Sequence, residues 1–116
     1  MSKETEYDRK MNLKYGPLRP VVELAVDAIS RGRCIKLQNG DIVELHAVGI
    51  TREQMLGLLC YVVQGDAGPG LIKDLKLITV PRPITITIDN LFSKAPRSRF
   101  EKNDKRFSKI ILQVRK

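Results

Sequence analysis

The stretch "ITREQMLGLLCYVVQG" (Ile50–Gly65) carries the sharpest boundary signals in the chain. Thr51 followed three residues later by Gln54 reads as a capping box. The hydroxyl would accept from the Gln54 N–H while the Gln54 side chain reaches back. Ile50 and Met55 stand at staple positions. Met55, Leu58, Leu59, Val62 and Val63 fall on one face at helical spacing, and Gly65 supplies a stop. The spacing predicts a helix between Thr51 and Gly65. Leu56 and Cys60 widen its apolar arc, which suits a central helix or an oligomer interface.

Working outward, a second helix is predicted at about 19–31. Pro20 suits its first turn, Val21, Val22, Leu24, Ala25, Ala28 and Ile29 form the stripe, and Gly32 is a C′ residue. Between the two helices, "RCIKLQNGDIVELHAV" (33–48) alternates around Asn39-Gly40 and predicts a β-hairpin. A two-residue turn would set Ile35 against Glu44. A three-residue loop with a bulge would pair Leu37 with Val43 and Ile35 with Leu45, gathering one apolar face, and is preferred. Lys36, Gln38, Glu44 and His46 would then share the polar face. Further strands are predicted at about 75–80, 84–92 and 109–114, with "PRP" (81–83) interrupting the ladder. The expected class is α+β: two helices with a mainly antiparallel sheet of about five strands. Residues 1–15 read as a flexible arm whose Tyr7, Met11, Leu13 and Tyr15 are spaced to dock on a neighbour. Residues 16–116 read as one domain.

At 116 residues and 42% hydrophobic, the chain can build one core without disulfides. Aromatics make up only 5%, so Leu, Ile and Val must carry the packing. Cys34 and Cys60 each sit in an apolar pattern and read as small buried hydrophobes. With no disulfide framework, no signal-like N-terminus and no apolar run near the ~20 residues of a bilayer span, a cytoplasmic, non-membrane protein is expected.

Enzyme signatures are thin. His46 is the single histidine and lies two residues from Glu44, so the pair could point the same way. It reads as a polar pair on a strand face, and no enzyme is expected. No Cys/His spacing suits zinc and no pattern implies a cofactor. The loop Gly65–Gly70 lacks the Lys-Ser/Thr of a P-loop and follows a predicted helix instead of preceding one, so it reads as a turn. Asp66, Asp74 and Asp89 form no motif.

Charge is the strongest functional signal. The formal net charge is +8. Residues 1–90 hold 12 Lys and Arg against 11 Asp and Glu, whereas residues 91–116 hold 9 against 2. The excess concentrates in a basic loop at 93–109, "SKAPRSRFEKNDKRFSK". Its cations are Lys94, Arg97, Arg99, Lys102, Lys105, Arg106 and Lys109. The three phenylalanines, Phe92, Phe100 and Phe107, lie in or beside it. Cations follow phosphates while aromatic faces stack bases, a combination suited to single strands. The expected site is therefore those seven cations with Phe100 as the base-stacking ring and Phe107 as a second. The predicted helices offer no row of basic or amide side chains for a major groove.

"PRSRFEKNDKRFSKIILQVRK" (96–116) on a small capped α+β body resembles the basic early proteins of lytic bacteriophages. It resembles in particular the single-stranded-DNA-binding transcription regulators of podophages. The resemblance implies binding to single-stranded DNA, partnership with a phage RNA polymerase, self-assembly and a place in the host cytoplasm. The expected function is a non-enzymatic single-stranded nucleic-acid-binding protein, on single-stranded DNA or RNA. The alternative is an interaction module that inhibits or adapts a host enzyme.

Overall fold

The structure, a computed structural model, describes residues 5–65 and 75–115. Expectations placed on residues 1–4, the loop residues 66–70, Asp66, Asp74 and Lys116 lie outside the described residues. The elements are α1 (Glu6–Tyr15), a 3₁₀ turn (Gly16–Leu18), α2 (Arg19–Arg31), β1 (Arg33–Lys36), β2 (Ile42–Thr51), β3 (Leu56–Gln64), β4 (Lys76–Val80), β5 (Thr87–Phe92) and β6 (Phe107–Gln113). The class is α+β, with one antiparallel sheet of six strands. Among the described residues no helix is long and apolar enough to cross a membrane.

α2 ends as its sequence predicts. Gly32 takes the left-handed conformation, φ 66°, and its N–H reaches back to the Ala28 and Ile29 carbonyls. Only a residue without a Cβ does this cheaply. Val21, Val22, Ala25 and Ala28 bury one face of α2 against the sheet. In the arm expected over 1–15, Glu6–Tyr15 form a helix, joined to α2 through the turn at Gly16-Pro17.

The helix expected between Thr51 and Gly65 is a hairpin instead. Thr51 ends β2 and Leu56 begins β3, with Ile50 opposite Leu56 and Leu45 opposite Cys60. The Thr51 hydroxyl does accept a backbone N–H, but from Met55, and the Thr51 N–H donates to the Met55 carbonyl at 2.7 Å. Gln54 sits at φ 65°, which turns the chain back. The apolar run misleads because β3 is buried on both faces. Leu56, Leu58 and Cys60 face α2, while Leu59 packs in a second cluster on the other side. A strand buried twice reads as a continuous apolar run, which periodicity cannot separate from a buried helix. The second of the two expected helices is therefore strand β3, which raises the strand number from the expected five to six.

The first hairpin is also corrected. Ile35 pairs with Val43 and Lys36 with Ile42, so the loop covers Leu37–Asp41. The Asn39 side chain accepts the Asp41 N–H at 3.0 Å, and Gly40 takes φ 95°. This side-chain-closed turn holds a longer loop than either register considered from sequence.

β2 organises the sheet. The strand order is β4-β3-β2-β1-β5. β6 shares the edge of β2 with β1, pairing Ala47 with Gln113 and Thr51 with Phe107. Between Leu45 and Ala47 the β2–β3 ladder slips, leaving His46 as the extra residue of a β-bulge. The slip changes which residues point where. Val43, Leu45 and Val48 face α2, while Ala47 faces the opposite side with Phe100 and Phe107.

On that side two glycines face each other across β2 and β3, Gly49 and Gly57. A Cβ on Gly49 would lie 2.3 Å from the Lys109 carbonyl oxygen and 2.9 Å from the Phe107 ring. A glycine inside a strand often marks such a close approach. Gly49→Ala is therefore expected to lower stability by roughly 1–3 kcal/mol, the usual cost of overpacking, measured as a lower urea midpoint at unchanged slope.

Candidate nucleic-acid interface

The basic segment leaves β5 at Phe92 and re-enters the sheet at Phe107. It packs across the sheet face that α2 leaves uncovered. Two side chains of β2 hold it there, and they are the pair read from sequence as a polar strand face. Glu44 is only 1% exposed and His46 is 0% exposed. A buried carboxylate needs partners to offset its lost hydration. Both come from the segment. The Lys94 N–H donates to Glu44 Oε2 at 2.5 Å, and Arg97 Nε donates to Oε1 at 2.6 Å. The Arg97 backbone N–H donates to His46 Nε2 at 2.9 Å. His46 Nδ1 lies 3.1 Å from the Glu44 carbonyl oxygen. With Nε2 accepting, Nδ1 must carry the proton, so the ring is held as one neutral tautomer.

Electrostatics follow from this geometry. Burial pushes the His46 pKa below the ordinary value, against the raising effect of Glu44. Its hydrogen bond to Glu44 pushes Arg97 up. The Arg97 guanidinium also lies over the Tyr61 ring, 4.4 Å from its centroid. Elsewhere Arg106 holds Asp104 below the usual carboxylate range, chiefly by hydrogen bonding. Burial raises the Cys34 and Cys60 thiols to about 11 and about 12, so neither is a ready nucleophile; both cysteines are free.

The rest of the segment is tied at several points. Ser93 N–H donates to the Gly32 carbonyl, Asn103 and Gln113 exchange two bonds, and Arg52 Nε reaches the Lys105 carbonyl. Phe100 plugs the middle. It is 0% exposed, beside His46 at a ring-centroid distance of 5.4 Å, and clusters with Ala47, Leu59 and Phe107.

This placement sorts the expected site residues. Phe100 and Phe107 are corrected: both rings are core, so neither is open to a base. Hydrophobic burial decides this, because a fully buried Phe contributes about 1.5–3 kcal/mol that exposure would forfeit. Arg97 is part of the clamp, one-third exposed. Lys109 points to the other side of the sheet. Its backbone pairs with Ile50, whose side chain packs in the α2-side core, and the neighbouring ammonium of Lys14 in α1 lowers its pKa. Lys94, Arg99, Lys102, Lys105 and Arg106 are exposed between positions 94 and 106, with Arg106 paired to Asp104 at 2.9 Å.

Two residues were missed. Phe92 ends β5 67% exposed, with the Arg33 guanidinium 4.1 Å from its ring centroid. Tyr61 receives Arg97. Their positions at a strand end and on a two-sided strand gave no signal distinct from core. Among the described residues no group of three or more His, Cys, Asp or Glu could hold a metal.

The clamp makes stability depend on pH. An unfolded chain binds a proton at histidine with the ordinary pKa near 6.5, whereas buried His46 resists it. Its contribution is therefore full above about pH 6.5 and is lost as pH falls toward the depressed folded value, by up to ~1.4 kcal/mol per unit. Urea unfolding between pH 7 and pH 5 should show that slope in the native chain and a shallower one in His46→Gln. Compared with known proteins, the chain matches no family model, no curated protein and no solved structure.

Proposed function

We propose that the chain is a non-enzymatic single-stranded nucleic-acid-binding protein acting on single-stranded DNA, in transcription regulation. One observation carries the reading. Lys94, Arg99, Lys102, Lys105 and Arg106 are exposed on a backbone that Glu44, His46 and Phe100 already hold in place. A cationic segment ordered in advance loses less conformational entropy when it meets a strand. Phosphate contacts then supply most of the affinity, through counterion release.

Stacking passes from Phe100 to Phe92, the phenylalanine that stands in solvent. Arg33 covers one face of its ring and the other can take a base. The likeness to podophage regulators adds a phage RNA polymerase as protein partner and self-assembly along the strand to this reading. His46 is poorly placed to act as a general base, since both its ring nitrogens are engaged and the ring is buried.

The test is binding of the pure protein to matched single-stranded DNA, RNA and duplex DNA across a salt series. Single-stranded DNA should bind tightest. Replacing Lys94, Lys102 and Lys105 together by Ala should flatten the logarithmic salt slope by about 2, at ~0.7 per lost contact on a single strand. Phe92→Ala should weaken binding about thirtyfold, a mid-range stacking loss of about 2 kcal/mol, and leave the slope unchanged. An unchanged slope in the triple variant would remove the segment as the site. A protein partner retained after nuclease, with no oligonucleotide binding, would instead make the surface an adapter for an acidic protein.

A further inference from the structure

Beside the clamp lies a notch of about 200 Å³, lined by Tyr61, Leu75, Arg97, Ser98 and Arg99. We infer that this notch seats a phosphate group of the bound strand, with Arg97 as its principal donor. The inference takes its phosphate source from the strand-binding reading and its anion chemistry from the notch alone.

Arg97 is prepared for that task by its surroundings. Its Nε is committed to Glu44, and its guanidinium plane is fixed over Tyr61. Among the described residues no partner engages its two Nη groups, which form one edge of the planar fork. That edge can give two parallel hydrogen bonds to the oxygens of one phosphate, which an ammonium cannot match. The carboxylate behind the guanidinium orients it as an outer-shell partner orients a ligand, so little freedom is lost when an anion arrives. Among the described residues the lining also holds a second guanidinium-bearing residue, Arg99, two hydroxyl-bearing residues, Tyr61 and Ser98, and Leu75. The surface cations of the segment would follow the strand loosely. The notch would hold one phosphate at a fixed place and so set the strand's register.

The experiment uses the full chain labelled with ¹⁵N. It is titrated with inorganic phosphate at an ionic strength held constant with chloride, then with a single-stranded oligonucleotide. Arg97 Nε–H and the Ser98 and Arg99 amides should shift saturably with both. Ser98 is exposed and lies outside the clamp, so Ser98→Asp fills the notch with negative charge without unseating the segment. The Arg97 amide signal, bonded to His46, reports in the same spectra that the segment stays seated. Ser98→Asp should abolish the phosphate shifts and weaken oligonucleotide binding about tenfold, as expected for losing a charge-assisted bidentate contact. Asn103→Asp makes the same charge change elsewhere on the segment and should cost well under that. Oligonucleotide binding with a silent notch would overturn this inference and leave the strand-binding reading standing. Phosphate shifts at the notch without oligonucleotide binding would uphold the anion seat and overturn the strand-binding reading. Equal losses in Ser98→Asp and Asn103→Asp would reduce the notch to part of the general field and overturn it as a seat.

Discussion

A carboxylate buried to 1% exposure must be met by donors, and Glu44 finds them in a segment fifty residues further along the chain. The rest of the architecture depends on this constraint. It draws Lys94 and Arg97 onto the sheet, which brings Phe100 over Ala47 and Leu59 and returns the chain to β2 at Phe107. α2 covers one face of the sheet, and the connection between β5 and β6 covers the other. The bulge at His46 serves the same end. It lets Glu44, His46 and Ala47 all address the segment while Leu45 and Val48 still face α2. A long connection with its own buried plug and hydrogen bonds is a structural layer as much as a loop.

That arrangement separates two roles which the composition merges. The inward face of the segment is acid-paired and aromatic, and it holds the fold. The outward face is cationic and contributes little to stability, because exposed charges interact weakly through water. On the proposed reading, a polyanion would meet Lys94, Lys102 and Lys105 without disturbing the contacts that keep the segment in place. Arg97 belongs to both faces, since its Nε serves Glu44 while the residue also lines the notch.

Much of the local structure was legible in the sequence. The boundaries of α2 follow from Pro20 and Gly32, and β4 and β6 lie close to their expected runs, whereas β5 begins only at Thr87 and leaves most of the alternating Ile84–Ile88 run outside the ladder. The run at 50–65 was misread because Thr51 and Gln54 satisfy helix-capping chemistry and hairpin chemistry alike. What decides between them is whether Leu56 and Leu59 can both be buried on opposite sides, a tertiary fact. The concentration of charge at 93–106 marked the candidate surface. The fate of its phenylalanines was hidden, because Phe100 among cations looks identical whether it faces a base or Ala47. The one textual hint was Glu44 and His46 set in the apolar run of β2, beside Gly49, which leaves room for the Phe107 ring.

Amide hydrogen exchange of the free protein addresses the central claim most directly, through the Arg97 N–H that donates to His46 Nε2. If the segment is a clamped layer, the Arg97 and Phe100 amides should exchange as slowly as those of Leu45 and Leu58, to within about tenfold, because all open only with the core. Exchange of Arg97 at the rate of an unstructured peptide, with β2 and β3 still protected, would contradict it.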